Sequence, residues 1–314
     1  MNVNIDNLEH VFQTLNGFES LSSGDTTSPD SIYAKTVLKL NGVDFKGREG
    51  SESFISSLKA GAKKVYEMIK NFIKAVRDFF FGSKGPKQTK TINDAIKNTQ
   101  NNSKEIISKK NNNSFDETEI SALSAYKTEK ERIQKLMNNE KIKLETYNST
   151  TFLLKFSDSI WTAGIAGTRL SEIPGISISD LKSTAARLED INTAIGFISE
   201  KQSAKHNFYT NQERVSIFDT IPPLVELQKL FNEMRTVASN ALATVTKDLE
   251  HNNELANKQE NSDSVELKYA AEKVRRLCNK MVTASNKLTE LIKHCDNKII
   301  KINQVMEAVK ELTS

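Results

Sequence analysis

The sequence predicts an all-α fold: an elongated helical bundle with a long C-terminal coiled-coil-like helix and a separate N-terminal amphipathic helix. Three observations carry that expectation. Only 12 Gly and 5 Pro occur in 314 residues, too few for a sandwich or barrel that turns every ~8–12 residues. Hydrophobic residues make up 37% of the chain, low for a compact globule but enough for helices that bury one stripe each. Apolar residues also recur at helical spacing over most of the chain.

The elements follow in order. Asn4 or Asp6 can cap a first helix carrying Ile5, Leu8, Val11, Phe12 and Leu15, with Asn16-Gly17 as its expected end. Residues 20–30 are polar and loop-like, and Ser28-Pro29 reads as an N-cap followed by Pro at the first helical position. Residues 31–40 form either a helix closed by Asn41-Gly42 or a strand entering a hairpin turn at that dipeptide. The helix is favoured, because the only return strand on offer is the short 43–45.

Residues 51–82 hold the best-defined local pattern. Leu58, Ala62, Val65, Ile69, Phe72, Ile73, Val76 and Phe80 follow the i, i+3/i+4, i+7 rule of one helix face. Lys59, Lys63, Lys64, Lys70, Lys74 and Arg77 occupy much of the remainder, and Gly82 and Gly85-Pro86 close the helix. Residues 83–114, rich in Lys, Asn, Gln and Ser, offer little to bury. The expectation is a flexible linker with at most a short weak helix at 92–96.

Residues 115–314 read as an elongated bundle behind a small N-terminal region, 1–50. Ser114-Phe115-Asp116-Glu117 resembles a capping box. Patterns at 151–161 and 179–198 follow, and Pro222-Pro223 opens another helix with Leu224, Leu227, Phe231, Met234 and Val245 on its apolar face. The final segment carries a heptad series from Leu267 through Val274, Met281, Leu288, Cys295, Ile302 and Val309, with Leu291, Val305 and Leu312 among the partner positions. Such a helix would be on the order of 70–75 Å long at 1.5 Å per residue. Its seam is available for intramolecular packing or for self-association through 267–312.

Catalytic and metal-binding signatures are missing. His10, His206, His251 and His294 are scattered, and there is no HExxH, CxxC, GxSxG or P-loop. Gly42, Gly47 and Gly50 are spaced loosely like a P-loop, but no Lys-Ser/Thr pair follows. His294 and Cys295 are neighbours about 100° apart on a helix and do not converge on one ion. Cys295 falls on the seam, Cys278 reads as an edge or surface thiol, and the carboxylate pairs Glu117/Glu119 and Glu129/Glu131 read as solvated faces. Trp161 reads as a packing anchor. No enzyme activity, cofactor or metal is expected.

What remains is charge. The net +4 of the chain is unevenly placed: residues 51–114 carry 13 basic and 5 acidic side chains, residues 1–50 carry 4 and 7, and residues 115–314 carry 27 and 28. The basic segment, including Lys84, Lys87 and Lys90, suits salt-dependent, sequence-blind contact with nucleic acid or another anionic surface. Arginine is scarce there, so base-edge reading is not expected. The apolar face Leu58, Val65, Ile69, Phe72, Ile73, Val76 and Phe80, with Phe79-Phe80-Phe81 at its end, equally suits core packing, a partner groove or a membrane surface. No run is long enough for a membrane span, and the opening MNVNIDNLEH has no signal-peptide pattern.

The text VDFKGREGSESFISSLKAGAKKVYEMIKNFIKAVRDFFFGSKG at 43–85 resembles the N-terminal portion of internal head or core-type virion proteins of large tailed bacteriophages. The resemblance implies a non-enzymatic structural protein packaged with DNA or acting as a capsid scaffold, located in the virion or the host cytoplasm. Its partners would be DNA, bound non-specifically, and capsid or other virion proteins. The alternative is a membrane-active helical effector or toxin using residues 58–81.

Overall fold

A computed structural model describes residues 7–46, 51–80, 82, 84–149 and 216–314. The fold is all-α, a helical bundle with no strand among the described residues. Its helices are α1 (Asn7–Ser22), α2 (Pro29–Leu40), α3 (Glu52–Phe80), α4 (Lys84–Asn111), α5 (Glu117–Ala122), α6 (Ser124–Ser149), α7 (Ile221–Glu260) and α8 (Val265–Glu311). The 3-10 turn Ile217–Thr220 leads into α7. The patterns at 151–161 and 179–198, with Trp161, lie outside the described residues.

The described chain divides into two compact units. The first takes the residues up to Gly85 together with Ala241–Leu288; the second takes 86–149, 216–240 and Thr289–Ser314. Both long helices, α7 and α8, contribute one half to each unit. The expected partition therefore changes: the described parts of 115–314 are shared between the two units, each together with its own N-terminal segment.

In the first unit α1 and α2 pack as a helical hairpin. Gly24 takes a left-handed φ of 92° in the turn, which only glycine adopts without a Cβ penalty. Asp25 accepts the backbone N–H groups of Thr27 and Ser28 at 3.0 Å each. Those bonds to its charged form hold the Asp25 carboxyl below its ordinary value. The Ser28 hydroxyl accepts from Ser31 N–H and caps α2, with Pro29 in the first turn. Residues 31–40 are thus helix, ended at Asn41 with Gly42 at φ 86°.

Gly17 does not end α1. It sits inside the helix because α2 runs too close for a side chain: a Cβ there would lie 1.9 Å from the Asp30 carbonyl oxygen and 2.7 Å from Ala34 Cβ. Gly61 plays the same part in α3, where a Cβ would meet Phe18 Cε2 at 2.7 Å. The α3 face formed by Phe54, Ala62, Val65, Ile69, Phe72, Ile73 and Val76 is buried. α3 runs antiparallel to the end of α7, since Arg77 pairs with Glu250 while Asn253 Nδ2 donates to the Tyr66 carbonyl at 3.1 Å.

The second unit corrects the linker expectation outright. Residues 84–111 form one continuous helix. Its buried face is Ile92, Ala95, Thr99, Ser103 and Ile106, a helical i, i+3/i+4, i+7 series in which two members are small and polar. Thr99 Oγ1 is 3.2 Å from Asn303 Oδ1 and accepts from Gln228 Nε2 at 2.9 Å, so the polar groups are satisfied where they are buried. Gly85-Pro86, expected only as a stop for α3, also falls in the first turn of α4, where the missing proline N–H costs no helical bond. Asp116, not Ser114, caps the following helix by accepting from Thr118 and Glu119 N–H. Tyr126 OH accepts from Ile217 N–H at 2.9 Å and ties α6 to the turn before α7.

α8 buries more than a two-helix seam. Val274, Met281, Leu288, Leu291, Cys295, Ile302, Val305 and Val309 are buried as the heptads imply. So are Ala271, Cys278, Val282, Ile292, Ile299 and Met306, which lie beside the seam. A helix covered over that arc packs against more than one neighbour: Asn279 bonds to Asn16 of α1, and Asp296 to Arg235 of α7 and Gln88 of α4.

Candidate anion-binding surface

α3 presents its charged residues on the side away from its buried face. At 100° per residue, Lys59, Lys63, Lys70, Lys74 and Arg77 fall within an arc of about 60°, spread over roughly 27 Å of helix from Lys59 to Arg77. All five, and Lys64, are exposed. Arg77 is spent on a bidentate pair: both of its terminal nitrogens donate to the two carboxylate oxygens of Glu250. None of the five lysines forms an ion pair with another described residue. Glu52, Glu67 and Asp78 are the acidic residues of the helix.

Of the seven positions expected to form an apolar partner or membrane face, Val65, Ile69, Phe72, Ile73 and Val76 are inside the first unit. Leu58 and Phe80 are half-buried. Phe80 packs edge-on against Phe79 at 4.8 Å between ring centroids. Phe81 lies outside the described residues. The face is therefore largely used by the fold itself, with α1 close enough that Phe18 would meet a Cβ at Gly61.

α4 carries a second lysine series. Lys90, Lys97 and Lys104 recur every seven residues opposite its buried face, and with Lys87 they are exposed. Lys84 opens the helix, but its side chain lies outside the described residues. Lys109 and Lys110 are structural instead: Lys109 Nζ donates to the Thr313 carbonyl at 3.1 Å and Lys110 Nζ to Asp219 Oδ1 at 2.6 Å.

Beneath that surface lies a polar cluster that sequence inspection missed. Asp296 of α8, buried, accepts from Arg235 Nε of α7 and from Gln88 Nε2 of α4, the latter at 2.7 Å. Burial pushes the Asp296 carboxyl up, and the hydrogen bonds and charge of Arg235 and the hydrogen bond from Gln88 oppose that shift. Only its off-seam position in a buried stretch of α8 could have signalled it. Glu129, expected on a solvated face, is also buried and pairs with Arg132 at 2.7 Å.

Cys278, expected at an edge or on the surface, is buried, and desolvation raises its thiol to about 12. Cys295 is buried. His294 packs edge-on against Phe231 at 6.0 Å. Among the described residues no group of three His, Cys, Asp or Glu side chains could hold a metal ion. No described helix is long and apolar enough to cross a membrane. No family model matches the sequence, and no curated protein or solved structure matches the chain.

Proposed function

We propose that the protein is a non-enzymatic structural or interaction protein that contacts duplex DNA through lysines on α3 and α4, without reading base sequence. The observation that carries the proposal is the α3 stripe of exposed lysines that pair with no described carboxylate. Fixed cations on a rigid helix release counterions from a phosphate backbone and need no base contacts. The shortage of arginine on that face agrees with sequence-blind binding. The virion setting suggested by residues 43–85 belongs to the same proposal, since a protein packed beside phage DNA needs contact of this kind.

Self-association through 267–312 has less support, because Val274, Met281, Leu288 and Cys295 are already buried within one chain. The membrane-active alternative requires α3 to leave its neighbours and expose Phe72 and Ile69, both buried.

The test is duplex binding by the full chain, with salt varied from about 50 to 200 mM. Replacing Lys70 and Lys74 by Glu should lower the slope of log K against log salt by about 2. Absence of binding at the low-salt end, or a slope indifferent to both substitutions, would remove the proposal.

A further inference from the structure

Beside the lysine stripe, within the first unit, α3, α7 and α8 line a cavity of about 110 Å³ whose walls are polar and apolar in equal part. A water takes ~30 Å³ in the liquid, so the space holds a few waters or one tetrahedral oxyanion. Lys59 and Lys63 line it from α3, Asn257 and Asn261 from the end of α7 and the turn after it, and Arg275 from α8. Glu260 is the one acidic residue of the lining.

The charges do not cancel. Arg275 donates to Glu260 at 2.5 Å, with side chains only 14% and 21% exposed, so that carboxylate is neutralised by its partner. Lys59 and Lys63 then stand as a net double positive charge at the rim, one helical turn apart. The neighbouring side-chain amides of Asn253, Asn257 and Asn261 add no further negative charge. Asn261 Nδ2 donates to the Asn257 carbonyl at 2.8 Å, which fixes the corner where α7 ends. Asn253 Nδ2 is taken by the Tyr66 carbonyl, and this bond holds the α3 wall of the cavity against α7.

Two lysines, an arginine already satisfied on one side and side-chain amides around a cavity of this size make an oxyanion receptor. We infer that this cavity seats a single phosphate group, and that Lys59, Lys63 and the Asn257 amide are its recognising groups. The inference deepens the proposed function: the stripe supplies diffuse attraction, and the cavity supplies one defined phosphate position at its end. The phosphate comes either from a nucleic-acid backbone or from a free phosphate, and the chemistry of recognition is the same.

The test uses the full chain and two variants that put a carboxylate at the cavity without touching Lys70 or Lys74: Asn257→Asp, and Asn261→Asp as a second choice at an exposed position. Inorganic phosphate, titrated against sodium chloride of equal ionic strength, should raise the unfolding temperature by mass action. Asn257→Asp should abolish that rise. In duplex binding the same variant should weaken affinity roughly tenfold and lower the salt slope by about 1, as expected for one lost phosphate contact.

A phosphate effect with no DNA binding keeps the cavity as a receptor for free phosphate and removes the proposed function. DNA binding that neither aspartate variant alters, together with no phosphate effect, overturns the cavity inference and leaves the stripe. Loss of both signals in Asn257→Asp is assigned to the cavity only if Asn261→Asp, folded by circular dichroism, weakens both as well; if it weakens neither, the inference fails.

Discussion

Arg235 on α7 and Asp296 on α8 face each other inside the second unit, with side chains 16% and 5% exposed, and Gln88 of α4 completes the hydrogen bonding of the carboxylate. One buried charge pair thus joins three helices. Its value lies in being complete: a buried carboxylate without its guanidinium is costly, whereas an apolar replacement of the whole pair is often neutral.

Replacing Arg235 by Met should therefore destabilise the protein by about 3–5 kcal/mol, and Asp296→Asn by less. The pH dependence has a definite sign. Asp296 titrates higher in the fold than the ordinary 3.8, so between those two values the folded state holds more protons than the unfolded chain. Its contribution is full below the unfolded value and is lost as pH rises through the folded one. Urea melts from pH 4 to 7 should show wild type losing stability relative to Asp296→Asn as pH increases; the opposite trend would show that Asp296 is not strained by burial.

Gly17→Ala and Gly61→Ala should separate two kinds of close approach. Helix propensity alone favours alanine at both sites by about 1 kcal/mol. At Gly17 the new Cβ meets the Asp30 carbonyl at 1.9 Å, and backbone cannot step aside without moving α2. A net loss of at least 1–3 kcal/mol, roughly the range for overpacking, is expected. At Gly61 the obstacle is the edge of the Phe18 ring at 2.7 Å, which can shift, so the net change should be smaller. Equal denaturation midpoints for the two variants would contradict this account.

Cys278 offers a chemical probe of the core. Its thiol is raised to about 12 by burial, so almost no thiolate exists near neutrality, and both cysteines are buried. A thiol reagent at pH 8 should titrate neither in the native protein and both in urea. Rapid native reaction of one thiol would place that part of α8 at the surface.

The legible parts of the sequence were those where periodicity and apolarity coincide. α2 could be read from Ser28, Pro29 and Asn41-Gly42, which each satisfy a helix end by their own local chemistry. α3 and α8 could be read from their stripes. α4 could not, because its buried face uses Thr99 and Ser103, residues that count as polar in any window. Thr99 can be buried because Gln228 and Asn303, more than a hundred residues away, complete its hydrogen bonds, while Ser103 donates to the Gln100 carbonyl of its own helix. Gly17 misled in the same way: an Asn-Gly pair is a local stop signal, and the nearby α2 backbone that makes it an interior contact is invisible to local reading.

The lysine face of α3 was legible for the same reason as its apolar face, since the 3.6-residue period places both at once. The cavity beside it was not, because Asn257, Asn261 and Arg275 reach Lys59 and Lys63 only across three helices.

By itself, then, the chain determined its helical class, the ends of α2 and the opposed basic and apolar faces of α3, all consequences of spacing and of local hydrogen bonding. Tertiary structure decided which half of each long helix joins which unit, that 84–111 is helix, and that the apolar face of α3 is inside. Those outcomes depend on burial against distant partners, and the free energy of burial belongs to the pair of surfaces, not to either segment alone.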